Sequence, residues 1–334
     1  MRLVRLHIHH VRNLNEIILS PHPRFNIFLG KNGSGKTSLL EAIYLLALGR
    51  SFRTRQTQSV ITHSQSTLAC FGEITEGEGE RVTLGIEKNR QGEVKCKIQG
   101  EACLKVSEFA KNLPIQLMTP ETFKLLVGGA EERRKLLDWG VFHVEHSFAA
   151  LCQRYQRLLK QRNAALKQFS QWEALTAWDK ELAAVGEQLA AHRQHYVAAL
   201  LPFVASMQKR LLPELNIQIH YEQGWKEALS LEEALAAALS QDQRWGYTSV
   251  GPHRAEVAFT HEKYPLTQVL SRGQQKLFIC ALLLAEGQQL GVNLGKKCLY
   301  LIDDLASELD PYNRQRVLEL LEEQGHQVFL TGVD

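Results

Sequence analysis

The sequence has no C-x-x-C pair, no internal repeat and no low-complexity tract, and little excess charge of either sign. Its six cysteines (Cys70, Cys96, Cys103, Cys152, Cys280, Cys298) show no metal-ligand spacing, and two sit in strongly apolar segments where a free thiol acts as a small hydrophobe. A disulfide framework and a cysteine zinc site are therefore not expected. No stretch approaches the roughly 18 consecutive apolar residues of a membrane span. The opening MRLVRLHIHH alternates apolar with basic residues and lacks the apolar middle of a signal peptide. A cytoplasmic protein without a membrane partner is the expectation. A net charge of +3 over 334 residues neither demands nor excludes a nucleic-acid partner. What is present, 44% hydrophobic and 22% charged residues, suits a folded chain of this length, with two domains as the soft expectation.

Residues 24 to 29 (RFNIFL) read as a short buried strand. Gly30-Lys31-Asn32-Gly33-Ser34-Gly35-Lys36-Thr37 follows and fits G-x-x-x-x-G-K-[ST] without a mismatch. From Ser38 to Leu48 the chain is rich in helix formers and stops at Gly49, a helix-capping residue. Glycines let such a loop wrap until its N–H groups converge on phosphate oxygens, and the helix adds its partly positive N-terminus. In this reading Lys36 reaches the β- and γ-phosphates of ATP and the Thr37 hydroxyl binds Mg²⁺.

A P-loop needs a carboxylate to complete the Mg²⁺ shell, and Cys298-Leu299-Tyr300-Leu301-Ile302-Asp303-Asp304 offers two at the end of a buried strand. Asp303 is expected to hold the metal, directly or through water. Between the halves, Leu270-Ser271-Arg272-Gly273-Gln274-Gln275-Lys276 opens a strongly apolar helix. It resembles the ABC signature Leu-Ser-Gly-Gly-Gln with Arg272 in place of the first glycine. A Ser-Arg-Gly turn is also an ordinary helix start, but its order before Asp303 matches the superfamily. Asp304 stands where ABC-type ATPases carry the glutamate that orients the attacking water. Leu305 to Asp310 resembles their D-loop. The switch histidine of that superfamily is absent, and Thr331 occupies its region.

The resemblance implies an α/β fold, an ABC/SMC-like ATPase head with mixed sheets around the P-loop helix and a short helical arm. It also implies that Ser271, Arg272, Gly273 and Gln274 cap the γ-phosphate of ATP bound to a partner chain. ATP then both fills the site and holds a homodimer together, and hydrolysis releases it. The expected division is residues 1–112 and 248–334 for the head and 113–247 for the arm.

Several further stretches resemble the RecF family of bacterial recombination mediators. They are Val11-Arg12-Asn13-Leu14, Gly49-Arg50-Ser51-Phe52-Arg53, Thr119-Pro120-Glu121, Glu132 to Asp138, and Gly251-Pro252-His253-Arg254. This resemblance implies a weak, DNA-stimulated ATPase that binds duplex DNA beside single-strand gaps and helps recombinase loading with a RecR-like partner. It further implies that Arg12 and Asn13 lie near the adenine or ribose, with Ser38 completing the loop's contacts. Thr119-Pro120-Glu121 resembles the family's Q-loop without a glutamine. Chains of that family run somewhat longer, so residues beyond Asp334 are expected. A transporter subunit and a P-loop small-molecule kinase are the competing readings.

The middle of the chain reads as an antiparallel helical hairpin. Its stripes are Leu151, Tyr155, Leu158, Arg162, Leu166, Phe169 and Leu182, Val185, Leu189, Arg193, Tyr196, Leu200, Phe203, Met207, joined around residues 170 to 176. Helices of ~25 residues would reach ~40 Å. Between residues 130 and 170 eight basic residues face four acidic ones. Such a run is either a solvated helix face, with Arg162 an internal partner, or a contact for DNA phosphates. Arg50, Arg53, Arg55, Arg133, Arg134 and Lys135 are the DNA candidates. The pairs His143/His146 and His192/His195 lack further ligands and read as surface or packing residues.

Overall fold

The structure is a computed structural model that describes residues 1–76, 79–103, 106–167 and 172–333. The chain divides into two compact units, residues 1–124 with 272–334, and residues 125–271.

The first unit begins with β1 (Arg2–Val11), β2 (Leu14–Leu19) and β3 (Phe25–Leu29), then α1 (Lys36–Leu48). Next come β4 (Thr67–Glu76), β5 (Glu80–Asn89), β6 (Val94–Ile98), β7 (Glu101–Cys103), α2 (Ser107–Asn112) and β8 (Ile115–Met118). In β1 the fully buried Leu6 and Ile8 alternate with outward His7 and His9, the period-two pattern of a sheet with one face in the core. Helix α1 is buried nearly all round, as a helix between two layers must be. It ends on Gly49, whose left-handed φ of 64° lets its N–H reach the Leu45 carbonyl.

The second unit holds α3 (Ala130–Val144), α4 (Phe148–Lys167), α5 (Trp172–Leu211), β9 (Ile217–Glu222), α6 (Leu231–Trp245), β10 (Glu256–His261), β11 (Tyr264–Pro265) and α7 (Leu266–Val269). The two expected stripes point inward: Tyr155, Leu158, Leu166, Leu182, Val185, Leu189, Tyr196 and Leu200 are all buried. Phe169 and the start of the expected joint lie outside the described residues. Helix α5 has 40 residues, so the second helix is longer than expected and starts within the expected joint. At 1.5 Å per residue it reaches about 60 Å.

The chain then returns to the first unit with α8 (Arg272–Leu294), β12 (Leu299–Ile302), α9 (Leu305–Glu308), α10 (Pro311–Gln324) and β13 (Gln327–Gly332). Six strands form an antiparallel sheet in the order β2-β1-β4-β5-β6-β7, and four form a parallel sheet in the order β3-β13-β12-β8. One apolar core joins both, with α1 residues Leu40, Ile43 and Leu46 packed among Leu6 and Leu84 of the first sheet and Leu301 and Phe329 of the second. Helix α8 is long and apolar enough to cross a membrane by length and composition, but 72% of its apolar window is buried inside the protein.

The unit boundaries fall later than the expected 112 and 247. Strand β8 pairs with β12 and so holds residues to 124 in the first unit. Strand β10 pairs with β9 and keeps the segment after 248 in the second, where β11-β10-β9 forms a small sheet beside the helices.

Two buried ionisable groups shape these units. In the second, Arg162 is fully buried, donating to Asp179 and to fully buried Asp242, each at 2.6 Å, and to Thr248 at 3.0 Å. It ties α4, α5 and α6 together and is the internal partner that its place on the apolar stripe permits. Removing one member of a buried pair leaves the other uncompensated, at a cost of about 3–5 kcal/mol. Asp242→Ala should lower stability by that amount in urea denaturation, and the more accessible Asp179→Ala by less. In the first unit, Glu286 of α8 is fully buried, accepts only from Gln116 Nε2 at 2.8 Å, and has no partner for Oε1 among the described residues. Burial pushes its pKa up to about 8. The folded state therefore holds a proton that the unfolded chain has released above about 4.5. Stability is expected to fall between about pH 4.5 and 8 and then level off. Glu286→Gln should remove about 3–5 kcal/mol of that decline, measured by denaturation at pH 5, 7 and 9.

Candidate nucleotide site

Strand β3 delivers the chain to Gly30, and the loop turns through Gly33 and Gly35, whose φ values are 82° and 100°. At Gly35 the left-handed torsion calls for glycine, and a Cβ would also press on the ends of the Leu14 and Asn13 side chains, at 2.8 and 3.1 Å. The loop leads straight into α1, so its free N–H groups and the helix dipole point the same way. Lys31, Asn32, Gly33 and Ser34 are exposed on the loop. The Lys36 ammonium donates to the Gly30 and Lys31 carbonyls, which holds it over the loop.

The parallel register carries β12 and β13 to the same end of the sheet as β3. There the Thr37 hydroxyl donates to the Asp303 carboxylate, lying 3.0 and 3.1 Å from its two oxygens across 266 positions of sequence. These are hard oxygen donors. Neighbouring ligands of an octahedral Mg²⁺ with bonds of about 2.0–2.1 Å stand about 3 Å apart, so the pair fits that ion. The Thr331 hydroxyl of β13 donates to Asp303 Oδ1 at 2.6 Å and accepts the Asp304 N–H at 3.1 Å. Thr331 thus holds the Asp303 carboxylate and the Asp304 backbone. Asp304 has φ 51° and ψ 52°, a left-handed conformation that costs energy outside glycine, at the start of α9.

Asn13 follows the turn after β1, accepts from the Ser38 hydroxyl at 2.8 Å and donates to the Gly33 carbonyl at 3.1 Å. Ser38 is buried, so it and Asn13 brace the loop from behind. Arg12 forms a two-pronged pair with Glu41 of α1, at 2.9 and 2.8 Å. Glu41 is fully buried and also accepts from Ser51, with Arg53 at 3.6 Å. The sequence reading missed Glu41 and the orienting role of Thr331. The available signals were a lone carboxylate in the apolar run 38–48 and a hydroxyl where the superfamily carries histidine. Beside the loop a cleft of about 450 Å³ is lined by Arg12, Asn13, Ser38, Arg53, Gln58 and His63, among others.

The signature residues lie where α7 gives way to α8: Ser271 closes the second unit and Arg272 opens the first unit's return. Ser271, Arg272 and Gly273 are exposed, Gln274 partly so. Beyond its chain neighbours and its own helix's backbone, a Cβ on Gly273 would meet nothing within 4 Å. Lys276 pairs with Glu308 at 2.6 Å, linking the first turn of α8 to the D-loop helix α9. Thr119 of the Q-loop stretch is buried and bonded to Thr122, with Glu121 exposed.

The basic candidates separate sharply. Arg133 is paired with Glu256 at 2.7 Å through two nitrogens and also donates to the Gly128 carbonyl. Arg134 is half-buried, donating to the Ala255 carbonyl at 2.7 Å. Both serve as internal partners of the second unit, because β10 and the residue before it supply acceptors that a sequence does not reveal. Lys135 is exposed but paired with Glu131 and Glu132. Arg50 and Arg55 are exposed. In the second unit exposed Trp245 and Tyr247 stack with ring centroids 5.5 Å apart, and the Arg254 guanidinium lies 5.2 Å from the Tyr247 centroid. His192 lies 3.5 Å from Glu145, in line with a surface role.

The family model for the RecF/RecN/SMC N-terminal domain matches residues 2–334. The DNA replication and repair protein RecF of Pseudomonas paraeruginosa (strain DSM 24068 / PA7) is 42% identical over 335 residues, covering 100% of this chain and 91% of that relative. RecF of Edwardsiella ictaluri (strain 93-146) is 43% identical, covering 100% and 93%. Among solved structures, the recombination mediator protein RecF-ATP in the RecFOR pathway superposes with a TM-score of 0.91 at 25% identity, covering 100% of this chain and 92% of that one. An Smc head bound to the C-winged helix domain of ScpA superposes at 0.61 and 15% identity, covering 100% and 90%, which is a likeness of fold. With its sequence matched throughout and its P-loop and Asp303 brought together, the chain belongs to the RecF family.

Proposed function

We propose that this chain is an ATP-dependent DNA-binding protein of the cytoplasm that dimerises with ATP and acts in recombinational repair of single-strand gaps and replication-fork maintenance. The observation that carries the reading is the meeting of Thr37 and Asp303 beneath the P-loop. The names of the relatives, DNA replication and repair protein RecF, and of the ATP-bound neighbour in the RecFOR pathway support it. That pathway name also supports a RecR-like partner. Family membership leaves the transporter and kinase readings without support.

In this reading Lys36 and the loop N–H groups from Gly30 to Thr37 hold the phosphates, and Thr37 with Asp303 holds Mg²⁺. The ion supplies positive charge against the developing phosphate charge. Asp304 orients the attacking water and accepts its proton, and Thr331 fixes the Asp303 carboxylate and anchors the Asp304 backbone. The cleft lined by Arg12 and Asn13 takes the nucleoside. There Arg12 acts through Glu41 as a wall of the cleft and Asn13 as a brace of the loop.

Ser271, Arg272, Gly273 and Gln274 cap a partner's γ-phosphate. The exposure of Ser271 and Gly273 and the open space at Gly273 support an approach from outside the chain. DNA contacts draw on Arg50 and Arg55 of the first unit, and on Arg254 with the Trp245–Tyr247 stack of the second. The charges of Arg53 and Lys135 are engaged by carboxylates of their own chain, so neither belongs to this contact set.

Analytical ultracentrifugation with Mg²⁺ and a non-hydrolysable ATP analogue should convert monomer to dimer, and ADP should not. An unchanged monomer counts against the dimer. Lys36→Met should abolish the conversion. Asp304→Asn should keep it and trap the dimer with ATP, while Thr331→Val should slow turnover at least tenfold and Thr331→Ser restore it. Normal hydrolysis by Asp304→Asn would reassign the water-orienting role. Filter binding should show ATP-dependent retention of duplex DNA that falls with salt. Retention should weaken in Arg50→Ala/Arg55→Ala and stay unchanged in Lys135→Ala.

A further inference from the structure

The outer face of the six-stranded sheet carries a group of donors remote in role from the nucleotide chemistry. His7 and His9 alternate along β1 with the buried Leu6 and Ile8, so both imidazoles emerge on the same side. Glu16 of β2 stands directly opposite His9 in the antiparallel register, and Ile18 stands opposite His7. The carboxylate turns toward both rings. Glu16 Oε1 lies 3.2 Å from His7 Nε2 and 3.9 Å from His9 Nε2. The two ring centroids are 4.1 Å apart, and one donor atom from each of the three residues falls within 4.8 Å of the other two.

The 3.2 Å contact is a hydrogen bond as it stands, and both distances are also close to those between the ligands of one metal ion. Tetrahedral zinc with bonds of about 2.0–2.1 Å has ligand atoms about 3.3–3.4 Å apart. The 3.2 and 3.9 Å edges bracket that spacing, and the partial exposure of all three side chains leaves room for small rotations. The backbones need not move. Strand β1 is hydrogen-bonded on both sides, to β2 and to β4, so His7 and His9 are anchored on an inner strand of the sheet. A simple ion pair needs only one imidazole per carboxylate, whereas here two converge on one.

We propose that His7, His9 and Glu16 form a binding site for a divalent transition metal of the borderline class, with Zn²⁺ as its representative. Two neutral imidazoles and one carboxylate match that class and do not match the all-oxygen preference of Mg²⁺ or Ca²⁺. The three protein donors leave the fourth position to solvent. The metal bridges β1 and β2 just before the turn at Arg12 and Asn13, so it fastens the hairpin from which Asn13 reaches the Gly33 carbonyl.

Calorimetric titration of the full untagged chain with zinc chloride, free of nucleotide and Mg²⁺, tests this. One equivalent should bind at least tenfold more tightly to the natural protein than to His7→Gln, His9→Gln or Glu16→Gln. His146→Gln, which alters an exposed histidine outside the group, should bind as the natural protein does. Cobalt(II) should give visible absorption bands of a low-symmetry site in the natural protein and lose them in His9→Gln. All three variants change partly exposed side chains, and thermal melts in chelator should coincide with the natural protein. Equal zinc affinity in the natural protein and all three variants, or no binding to any, would overturn the proposal.

Discussion

A chain of hydrogen bonds from Thr37 through Asp303 to Thr331 is the contact on which the rest of the architecture depends. It joins the first turn of α1 to the ends of β12 and β13. A lone threonine or aspartate at such a place would be an ordinary polar residue at a strand end. Together they form a concave oxygen-lined corner under a glycine loop whose N–H groups have few internal acceptors. The corner exists only because the parallel sheet sets β3, β13 and β12 side by side with their C-terminal ends aligned. In open α/β sheets that edge is where ligands bind.

The packing behind this corner is correspondingly unforgiving. Helix α1 is enclosed by two sheets, and the one charge on its buried surface, Glu41, is held by Arg12 and Ser51 from segments on either side. A buried carboxylate keeps its charge at low cost only when its oxygens are paired. The Arg12–Glu41 pair therefore fixes the hairpin of β1 and β2 against α1, and with it the position of Asn13. The neighbouring cleft takes its shape from residues whose first duty is to one another.

The local part of this site was legible in the sequence because its signals are local. Gly30 to Thr37 must turn sharply before a helix, Leu299 to Ile302 can only be a buried strand, and Asp303 follows it directly. The stripes along α4 and α5 were equally readable from spacing. The unit boundaries were not, since they follow from β8 pairing with β12 and β10 with β9, partners far away in sequence. The same cause hid the fate of Arg133 and Arg134. Their charge was visible, but the Glu256 carboxylate and Ala255 carbonyl that engage them are reached only through tertiary folding. Thr331 was noticed for what it was not, and its two bonds gave it a role.

The order of strands in the parallel sheet bears on how the chain is made. β3 has β13 as its neighbour, and β8 has β12, so each early strand waits for one near the C-terminus. On the ribosome, the loop and helix of the nucleotide site can rest on the six-stranded sheet, whose strands are all made early, but emerge long before β12 and β13 complete the parallel one. The inserted helical unit can fold in the interval, since its contacts lie mainly within itself. Until synthesis nears its end the nascent chain exposes two unpaired hydrophobic strands, an aggregation hazard that a helper able to shelter them would relieve.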